Sequence, residues 1–236
     1  QDISHLYQKD SIERAKYILQ KIPEGVGAYS SSAGIAFVRE AVAEFITRRD
    51  NIPSNPDHIL LTDGASKAAQ TVIHAIIKNP SDGIMLPIPQ YPMYSASMTM
   101  AGGISIGYYL DEENNWQLNE DILLDSYNTA KLNKLNPVAI TVINPGNPTG
   151  SVLSYANIKM IINFARKHNL SILADEVYQE NIYNKDKQFH SFAKVMHDMQ
   201  IDDVTLFSFH SMSKGYFGEC GHRSGYLEVR NITDEV

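Results

Sequence analysis

The sequence contains very little cysteine: Cys220 is the only one among 236 residues. A single thiol cannot form an internal disulfide, which excludes a disulfide-stapled extracellular scaffold and favours a reducing compartment. The eight histidines are scattered, and no two of them have the HExxH or HxxxH spacing. Neither residue type therefore supplies a cluster with metal-ligand spacing, and we expect no metal site.

Positive charge and long apolar runs are also lacking. Lys and Arg total 20 against 27 Asp and Glu, a formal net charge of −7, and no basic block offsets it. An extended phosphate backbone needs clustered cations, so we expect no nucleic-acid partner. No apolar run approaches the roughly 20 residues that cross a bilayer. Residues 1–5 show neither the basic segment nor the apolar segment of a secretory leader. We expect no membrane partner and a cytoplasmic location, with a mitochondrial one left open.

What the sequence does have is an alternation of strand-like apolar runs and amphipathic helical segments. This pattern predicts an α/β fold, namely a three-layer α/β/α domain with a mostly parallel seven-stranded sheet, over residues 1–236. The predicted strands are 58–62, 83–86, 104–109, 138–143, 171–174, 204–208 and 224–229. The predicted helices are 11–22, 35–49, 65–78, 91–101, 119–133, 154–168 and 189–198.

In open α/β sheets, ligands bind at the carboxyl ends of the strands, so candidate site residues are expected in the segments that follow the strands. Gly64, Ala65 and Ser66 follow the first strand and open an Ala-rich helix, which predicts free backbone N–H groups able to hold a phosphate. Three prolines fix the backbone around Tyr91 after the second strand, so its ring could form a wall against a flat ligand. Taken alone, each segment is better explained structurally, as an ordinary helix start and a stiff turn.

The fourth and fifth strands end in polar residues. Residues 144–150 combine two prolines and two glycines around Asn147, which favours a functional role for its side-chain amide. Asp175 stands at the end of the fifth, buried strand, where an isolated carboxylate costs several kcal/mol unless a cation or hydrogen bonds compensate it. We expect a cationic group to meet Asp175, with a capping aspartate as an equally weighted alternative.

The segment after the sixth strand carries two cations. Lys214 follows a hydroxyl-rich turn and Arg223 lies beyond a glycine-rich loop, so an amine and a guanidinium can converge on one cavity. An amine moved from water into a pocket of low dielectric becomes a nucleophile for carbonyls because its pKa falls; a solvated surface lysine is the alternative. Together with the features above, these residues are the parts needed to hold pyridoxal 5′-phosphate, and they occur in a compatible order.

With these residues in view, the sequence resembles a known family, the class I aminotransferases among the fold-type-I pyridoxal-phosphate enzymes. The resemblance spans essentially all 236 residues and implies the large, cofactor-binding domain of that fold. The motifs that carry it are GAS (64–66), PQYP (89–92), NPGNPTG (144–150), DEVY (175–178) and SxSKG (211–215). The resemblance also implies a central fragment, with an N-terminal arm and a C-terminal small domain missing.

The resemblance implies a role for each matching residue around the cofactor ring. Lys214 would bind the cofactor aldehyde covalently and, once released, would move the substrate proton as the catalytic residue. Asp175 would pair with the ring nitrogen and keep it protonated. Tyr91 would stack on the ring face, whereas Asn147 and Tyr178 would hydrogen-bond the phenolic oxygen.

At the phosphate end, the resemblance implies a second group of residues. These are the backbone amides of Ala65 and Ser66, the hydroxyls of Ser66 and Ser211, and the guanidinium of Arg223. Tyr29, in the GAYSSS segment, resembles the tyrosine that reaches a neighbouring subunit's phosphate. The resemblance therefore implies a homodimer whose sites straddle the interface.

Within the family, residues 27–35, 61–68 and 211–226 are most similar to the alanine aminotransferases. The implied reaction transfers the amino group of L-alanine to 2-oxoglutarate and gives pyruvate and L-glutamate. Two alternatives stay open: another fold-type-I enzyme, either an aminotransferase of different specificity or a lyase or decarboxylase, and an inactive truncated domain that serves only in dimerisation. If the molecule stops at Val236, we expect weak or no cofactor binding and negligible turnover, because substrate positioning and lid closure both require the missing small domain, in which the family carries its arginine for the substrate carboxylate.

Overall fold

The computed structural model describes residues 4–232, which form seven strands and seven α-helices. The strands are β1 (Ile59–Thr62), β2 (Asp82–Ile88), β3 (Ile104–Tyr109), β4 (Asn136–Ile143), β5 (Ser171–Asp175), β6 (Leu206–Ser211) and β7 (Gly225–Arg230). The helices are α1 (Lys9–Lys21), α2 (Ala36–Asp50), α3 (Ala65–Ile76), α4 (Met93–Ala101), α5 (Glu120–Leu132), α6 (Tyr155–Lys167) and α7 (Phe192–Asp198). Short 3₁₀ turns occur at Ser4–Leu6, Pro56–His58 and Cys220–His222.

All seven strands form one sheet, in the order β1-β7-β6-β5-β4-β2-β3. The pairs β2–β3, β2–β4, β4–β5 and β5–β6 are parallel, whereas β7 runs antiparallel to both of its neighbours, β1 and β6. The prediction of a mostly parallel seven-stranded sheet is therefore confirmed. Because β7 is reversed, its amino end lies at the same edge as the carboxyl ends of the other strands.

Helices cover both faces of the sheet, as a three-layer fold requires. In β2, Ile84 and Leu86 belong to the apolar cluster that contains residues of α3 and α4, whereas Met85 belongs to the cluster on the opposite face, which contains residues of α5, α6 and α7. Helix α2 covers the end of the sheet, where Ile46 packs with Ile59. Every strand near the centre is thus buried on both sides, which explains its nearly continuous apolar sequence.

Local sequence accounts for where the helices begin. Ser154 precedes α6 and forms a capping box with Asn157. The Ser154 hydroxyl accepts from the Asn157 backbone N–H, and the Asn157 side-chain oxygen accepts from the Ser154 backbone N–H. The apolar face of α6 then turns inward, with Ile158, Ile161 and Ile162 fully buried. Similar side-chain caps precede α5 and α7.

The element predictions are confirmed with small shifts at the ends. Strand β2 continues past its predicted end at residue 86 and includes Pro87. Pairing with β4 stops at Met85, so the missing N–H of Pro87 removes no ladder bond on that side. Strand β6 extends to Ser211 and carries this residue to the edge of the sheet. Within residues 4–232, no helix combines the length and the apolar character needed to span a bilayer.

Candidate active site

A cavity of about 200 Å³, open to solvent, lies at the edge of the sheet where these strands end. Nine of the ten predicted site residues line it: Ala65, Ser66, Tyr91, Asn147, Asp175, Tyr178, Ser211, Lys214 and Arg223. Residues that the sequence analysis did not assign to the site, among them Met93, Ile143 and Cys220, complete the wall. Segments far apart in the sequence therefore meet at one place.

The sheet topology explains why these residues converge. Ala65 follows β1, Asn147 follows β4, Asp175 ends β5 and Lys214 follows β6, all at the carboxyl edge. Arg223 instead precedes β7, and it reaches the same edge because β7 is antiparallel. This is the topological arrangement in which α/β folds build ligand sites.

One end of the cavity is suited to an anion. Helix α3 begins after Gly64 without a side-chain cap, and among residues 4–232 no acceptor bonds the backbone N–H groups of Ala65 and Ser66. The Arg223 guanidinium lies beside them, where it donates to the Asp63 carbonyl at 3.0 Å and to the Ser213 hydroxyl at 3.2 Å. Free N–H groups at a positive helix end and a guanidinium together favour a bound anion.

Two glycines allow this close approach. A Cβ on Gly225 would lie 2.5 Å from the His210 carbonyl oxygen and 3.0 Å from the Ala65 nitrogen. Gly64 has a φ of 97°, and a Cβ there would lie 2.8 Å from an Arg223 nitrogen. Side chains at either position would push β7 or Arg223 away from the start of α3.

The other end of the cavity holds the buried carboxylate of Asp175. The Tyr94 hydroxyl donates to its Oδ2 at 2.7 Å, and the Val177 backbone N–H approaches Oδ1 at 3.4 Å. Burial raises the pKa of Asp175 above its usual value, whereas these two hydrogen bonds and the charge of Lys214 oppose that shift. A cationic ligand in the cavity would compensate the remaining desolvation cost.

Tyr94 is the main residue that sequence reasoning missed. It is fully buried on α4, three positions after Tyr91. Burial and the adjacent Asp175 charge raise the pKa of Tyr94 well above its usual value, so the phenol stays protonated as a donor. The only signal in the sequence was its place in the rigid PQYPMY segment, next to a tyrosine already assigned to the site.

Between the two ends lie the amide, phenol and amine groups. The Asn147 side chain donates to the Tyr178 hydroxyl at 3.3 Å, and Lys214 Nζ lies 5.4 Å from the Tyr178 ring centroid. Lys214 itself is exposed, so the expectation of an amine shielded from water is not met in the single chain. Tyr216 and Phe217, two and three residues after it, are also exposed.

The turn that carries Lys214 is anchored to the loop after β5. The Gly215 backbone N–H donates to Asn181 Oδ1 at 2.9 Å, and the Asn181 amide approaches the Gly215 carbonyl at 3.3 Å. Sequence reasoning did not find Asn181, because its partner is 34 residues away. This clamp fixes the distance between the amine and the segment that carries Asp175 and Tyr178.

Glu176, the neighbour of Asp175, faces the opposite side of the sheet. It accepts from the Ser208 hydroxyl at 2.7 Å and from the Phe192 backbone N–H at 2.9 Å, and burial raises the pKa of its carboxyl to about 7. Arg49 opposes that rise and also donates to the Gln179 side chain at 2.5 Å. These contacts fix the turn from 176 to 179 on the side that faces away from the cavity, and Tyr178 in the same turn lines the cavity.

Tyr29 is the one predicted site residue that lies outside the cavity. It sits in the loop between α1 and α2, lines a separate open groove with residues 21–36, and is fully exposed. Its predicted contact is with a neighbouring subunit, so the prediction stays a prediction. Among residues 4–232, no group of three or more His, Cys, Asp or Glu side chains could hold a metal ion.

Comparison with known proteins adds the family. Residues 4–233 match the family model described as aminotransferase class I and II. The chain is 49% identical, over 99% of its length and 44% of the relative, to the probable mitochondrial alanine aminotransferase of Dictyostelium discoideum. It is 47% identical, over 98% of its length and 49% of the relative, to glutamate–glyoxylate aminotransferase 2 of Arabidopsis thaliana.

The fold comparison agrees. An alanine aminotransferase structure from Pyrococcus furiosus superposes with a TM-score of 0.77 at 26% identity, over 94% of this chain and 52% of that one. The chain spans about half the length of the curated relatives it matches. The family match nevertheless covers nearly every residue, and the chain therefore belongs to the class I and II aminotransferases.

Proposed function

We propose that this chain is the cofactor-binding domain of an aminotransferase that transfers the amino group of L-alanine to 2-oxoglutarate, giving pyruvate and L-glutamate. The observation that carries the proposal is the single cavity in which an amine, a buried carboxylate and an anion-binding helix start face one another. Aminotransferases of this family depend on pyridoxal phosphate. The identity to alanine aminotransferases supports the choice of amino acid.

The residues present fit this cofactor at both of its charged ends. The uncapped start of α3, with Arg223 beside it and glycines where a Cβ would intrude, suits a phosphate. The buried Asp175 carboxylate suits a protonated ring nitrogen, because a cation there offsets its desolvation. Lys214 lines the same cavity and offers an amine for the aldehyde.

Bound pyridoxal phosphate supplies an aldehyde that exchanges amino groups and a ring that withdraws electrons from the substrate Cα. Lys214 Nζ would hold the cofactor and, when released, would carry the proton at the substrate Cα. Asp175 would keep the ring nitrogen protonated, and Tyr91 would pack on the ring face. Asn147 and Tyr178, which already contact each other, would bind the phenolic oxygen.

At the phosphate end, the proposed contacts come from backbone and side chain alike. The N–H groups of Ala65 and Ser66 would donate along the helix axis, and the hydroxyls of Ser66 and Ser211 would add two further hydrogen bonds. Arg223 would supply the matching charge. Its present hydrogen bonds to Asp63 and Ser213 hold the guanidinium in place for that contact.

A second candidate acceptor follows from the comparisons, since one relative at 47% identity is named a glutamate–glyoxylate aminotransferase. Glyoxylate would then replace 2-oxoglutarate in the second half of the reaction. We propose a cytoplasmic location, since a chain with one cysteine forms no internal disulfide and suits a reducing compartment; the Dictyostelium relative is named mitochondrial.

The reaction is tested with the complete protein that carries this sequence. L-alanine and 2-oxoglutarate should give pyruvate and glutamate in equal amounts, with a higher kcat/KM than L-alanine and glyoxylate. Lys214→Ala should lower kcat by about 10²- to 10⁴-fold, the usual contribution of an acid–base group, whereas the exposed control Lys159→Ala should not. Loss of alanine without pyruvate would instead indicate a decarboxylase or lyase.

The phosphate contact is tested by comparing pyridoxal phosphate with pyridoxal, which lacks the phosphate. Arg223→Gln should raise the Kd for pyridoxal phosphate about tenfold to a hundredfold, the cost of losing a hydrogen bond to a charged group. The Kd for pyridoxal should change little. The control Arg166→Gln, which removes a half-exposed ion pair with Asp203, should leave both constants unchanged. Equal weakening of both ligands by Arg223→Gln would contradict the assignment.

We also propose a homodimer in which Tyr29 reaches the partner's phosphate site. Exposed aromatic side chains support it: Tyr29, Tyr183, Tyr216 and Phe217 are each more than four-fifths exposed in the single chain, and Tyr216 and Phe217 pack edge to face beside Lys214. Contiguous exposed apolar groups, as in the Tyr216–Phe217 pair, are typical of interaction surfaces.

The dimer arrangement is tested with mixed dimers of Lys214→Ala and Tyr29→Phe subunits. If Tyr29 acts across the interface, each mixed dimer has one intact site, made of Lys214 from one subunit and Tyr29 from the other. Tight cofactor binding at half the sites should then return, whereas the Tyr29→Phe homodimer should bind about tenfold more weakly. Mixed dimers without a tight site would show that Tyr29 acts within its own subunit.

A further inference from the structure

Two tyrosines in the core make the same short hydrogen bond to different partners. Tyr94 and Tyr108 are both almost completely buried, and each hydroxyl donates at 2.7 Å. Tyr108 donates to the backbone carbonyl of Thr141, an ordinary way to satisfy a buried phenol. Tyr94 donates to the carboxylate of Asp175, the group proposed to meet the cofactor ring.

Among the described residues, the Asp175 carboxylate has few hydrogen-bond donors, so the hydrogen bond from Tyr94 is important for stabilising its charge. Among residues 4–232, the carboxylate accepts from one further donor besides the Tyr94 hydroxyl, the Val177 N–H, at the long distance of 3.4 Å. The charged and titratable groups that face Asp175 are Tyr94 on α4 and Lys214 on the loop after β6, with Tyr91 acting on Tyr94. The phenol is therefore the strongest fixed donor to this carboxylate.

We propose that Tyr94 is a positioning residue for cofactor binding: it holds the Asp175 carboxylate ionised and oriented so that one oxygen faces the protonated ring nitrogen. This inference rests on the proposed function. Helix α4 packs into the apolar cluster beneath the cavity, so the phenol is held in place from behind. Hydrogen bonds from a neutral donor stabilise the ionised form of a buried carboxyl group.

A purely structural role would have a different consequence. If Tyr94 only filled space and satisfied its own hydroxyl, removing that hydroxyl would affect stability, as at Tyr108, and would leave the cofactor unaffected. If it acts through Asp175, removing it matters for the cofactor only while Asp175 is present. The two roles are therefore separated by a double-mutant cycle.

The experiment measures the Kd for pyridoxal phosphate in the complete protein and in Tyr94→Phe, Asp175→Asn, the double variant and the matched control Tyr108→Phe. Tyr94→Phe keeps the buried ring and should raise Kd about tenfold, the effect of one hydrogen bond. In the Asp175→Asn background the same change should have little further effect. Tyr108→Phe should lower the unfolding midpoint yet leave Kd unchanged.

The pH dependence gives an independent readout. Without the Tyr94 donor, Asp175 takes up a proton more readily, so the pH below which cofactor affinity falls should move upward by about one unit. Tyr108→Phe should not move it.

The contradicting results differ for the two proposals. Equal effects of Tyr94→Phe in both backgrounds, or no effect while Asp175→Asn still weakens binding, would overturn the role of Tyr94 alone. If the protein does not bind pyridoxal phosphate, or if Asp175→Asn binds it as tightly as the unaltered protein, the proposed function fails together with this inference.

Discussion

The burial of the Asp175 carboxylate is the constraint on which the site depends. A carboxylate in the core costs several kcal/mol unless donors or cations surround it. Here one phenol donates to it from below, and the cavity with Lys214 lies on its other side. The rest of the stabilisation that the ionised carboxylate needs must come from a ligand with a positive or hydrogen-bond-donating group. The carboxylate therefore determines which ligands the cavity can bind.

The reversed direction of β7 provides the second half of the site. If β7 ran parallel to its neighbours, its amino end and the preceding Arg223 would lie at the opposite edge of the sheet, away from the start of α3. Because β7 is antiparallel, the residue before it lies next to the start of α3. Gly225 then allows the two backbones to approach closely, since any side chain there would collide with the His210 carbonyl. The end of the cavity that suits an anion thus follows from the topology and from the missing Cβ atoms of Gly225 and Gly64.

Much of this could be predicted from the sequence because the signals were local. Strands such as β4 are continuous apolar runs, and α6 begins with a recognisable cap at Ser154. The strand ends were equally visible, so Asn147, Asp175 and Lys214 could be assigned to one edge of the sheet. Order within the sheet had no local signal, and neither did the reversal of β7.

The side-chain contacts that matter most for the site and that the sequence did not predict are long-range. Tyr94 meets Asp175 across 81 residues of chain, and Asn181 meets Gly215 across 34. Such pairs depend on how helices pack against the sheet, which no periodicity reveals. Lys214 was expected to be shielded from water but is exposed, for a related reason. Whether an amine at the mouth of the cavity is shielded depends on what packs against that mouth, which no local sequence pattern reveals.

The central claim is that Lys214 holds a cofactor whose ring meets Asp175. Reduction of the complete protein with borohydride in the presence of pyridoxal phosphate, followed by mass spectrometry of its peptides, tests this most directly. The account predicts one modified lysine per chain, at position 214, and a marked loss of that modification in Asp175→Asn at limiting cofactor. Modification spread over several surface lysines, or unchanged by Asp175→Asn, would contradict it.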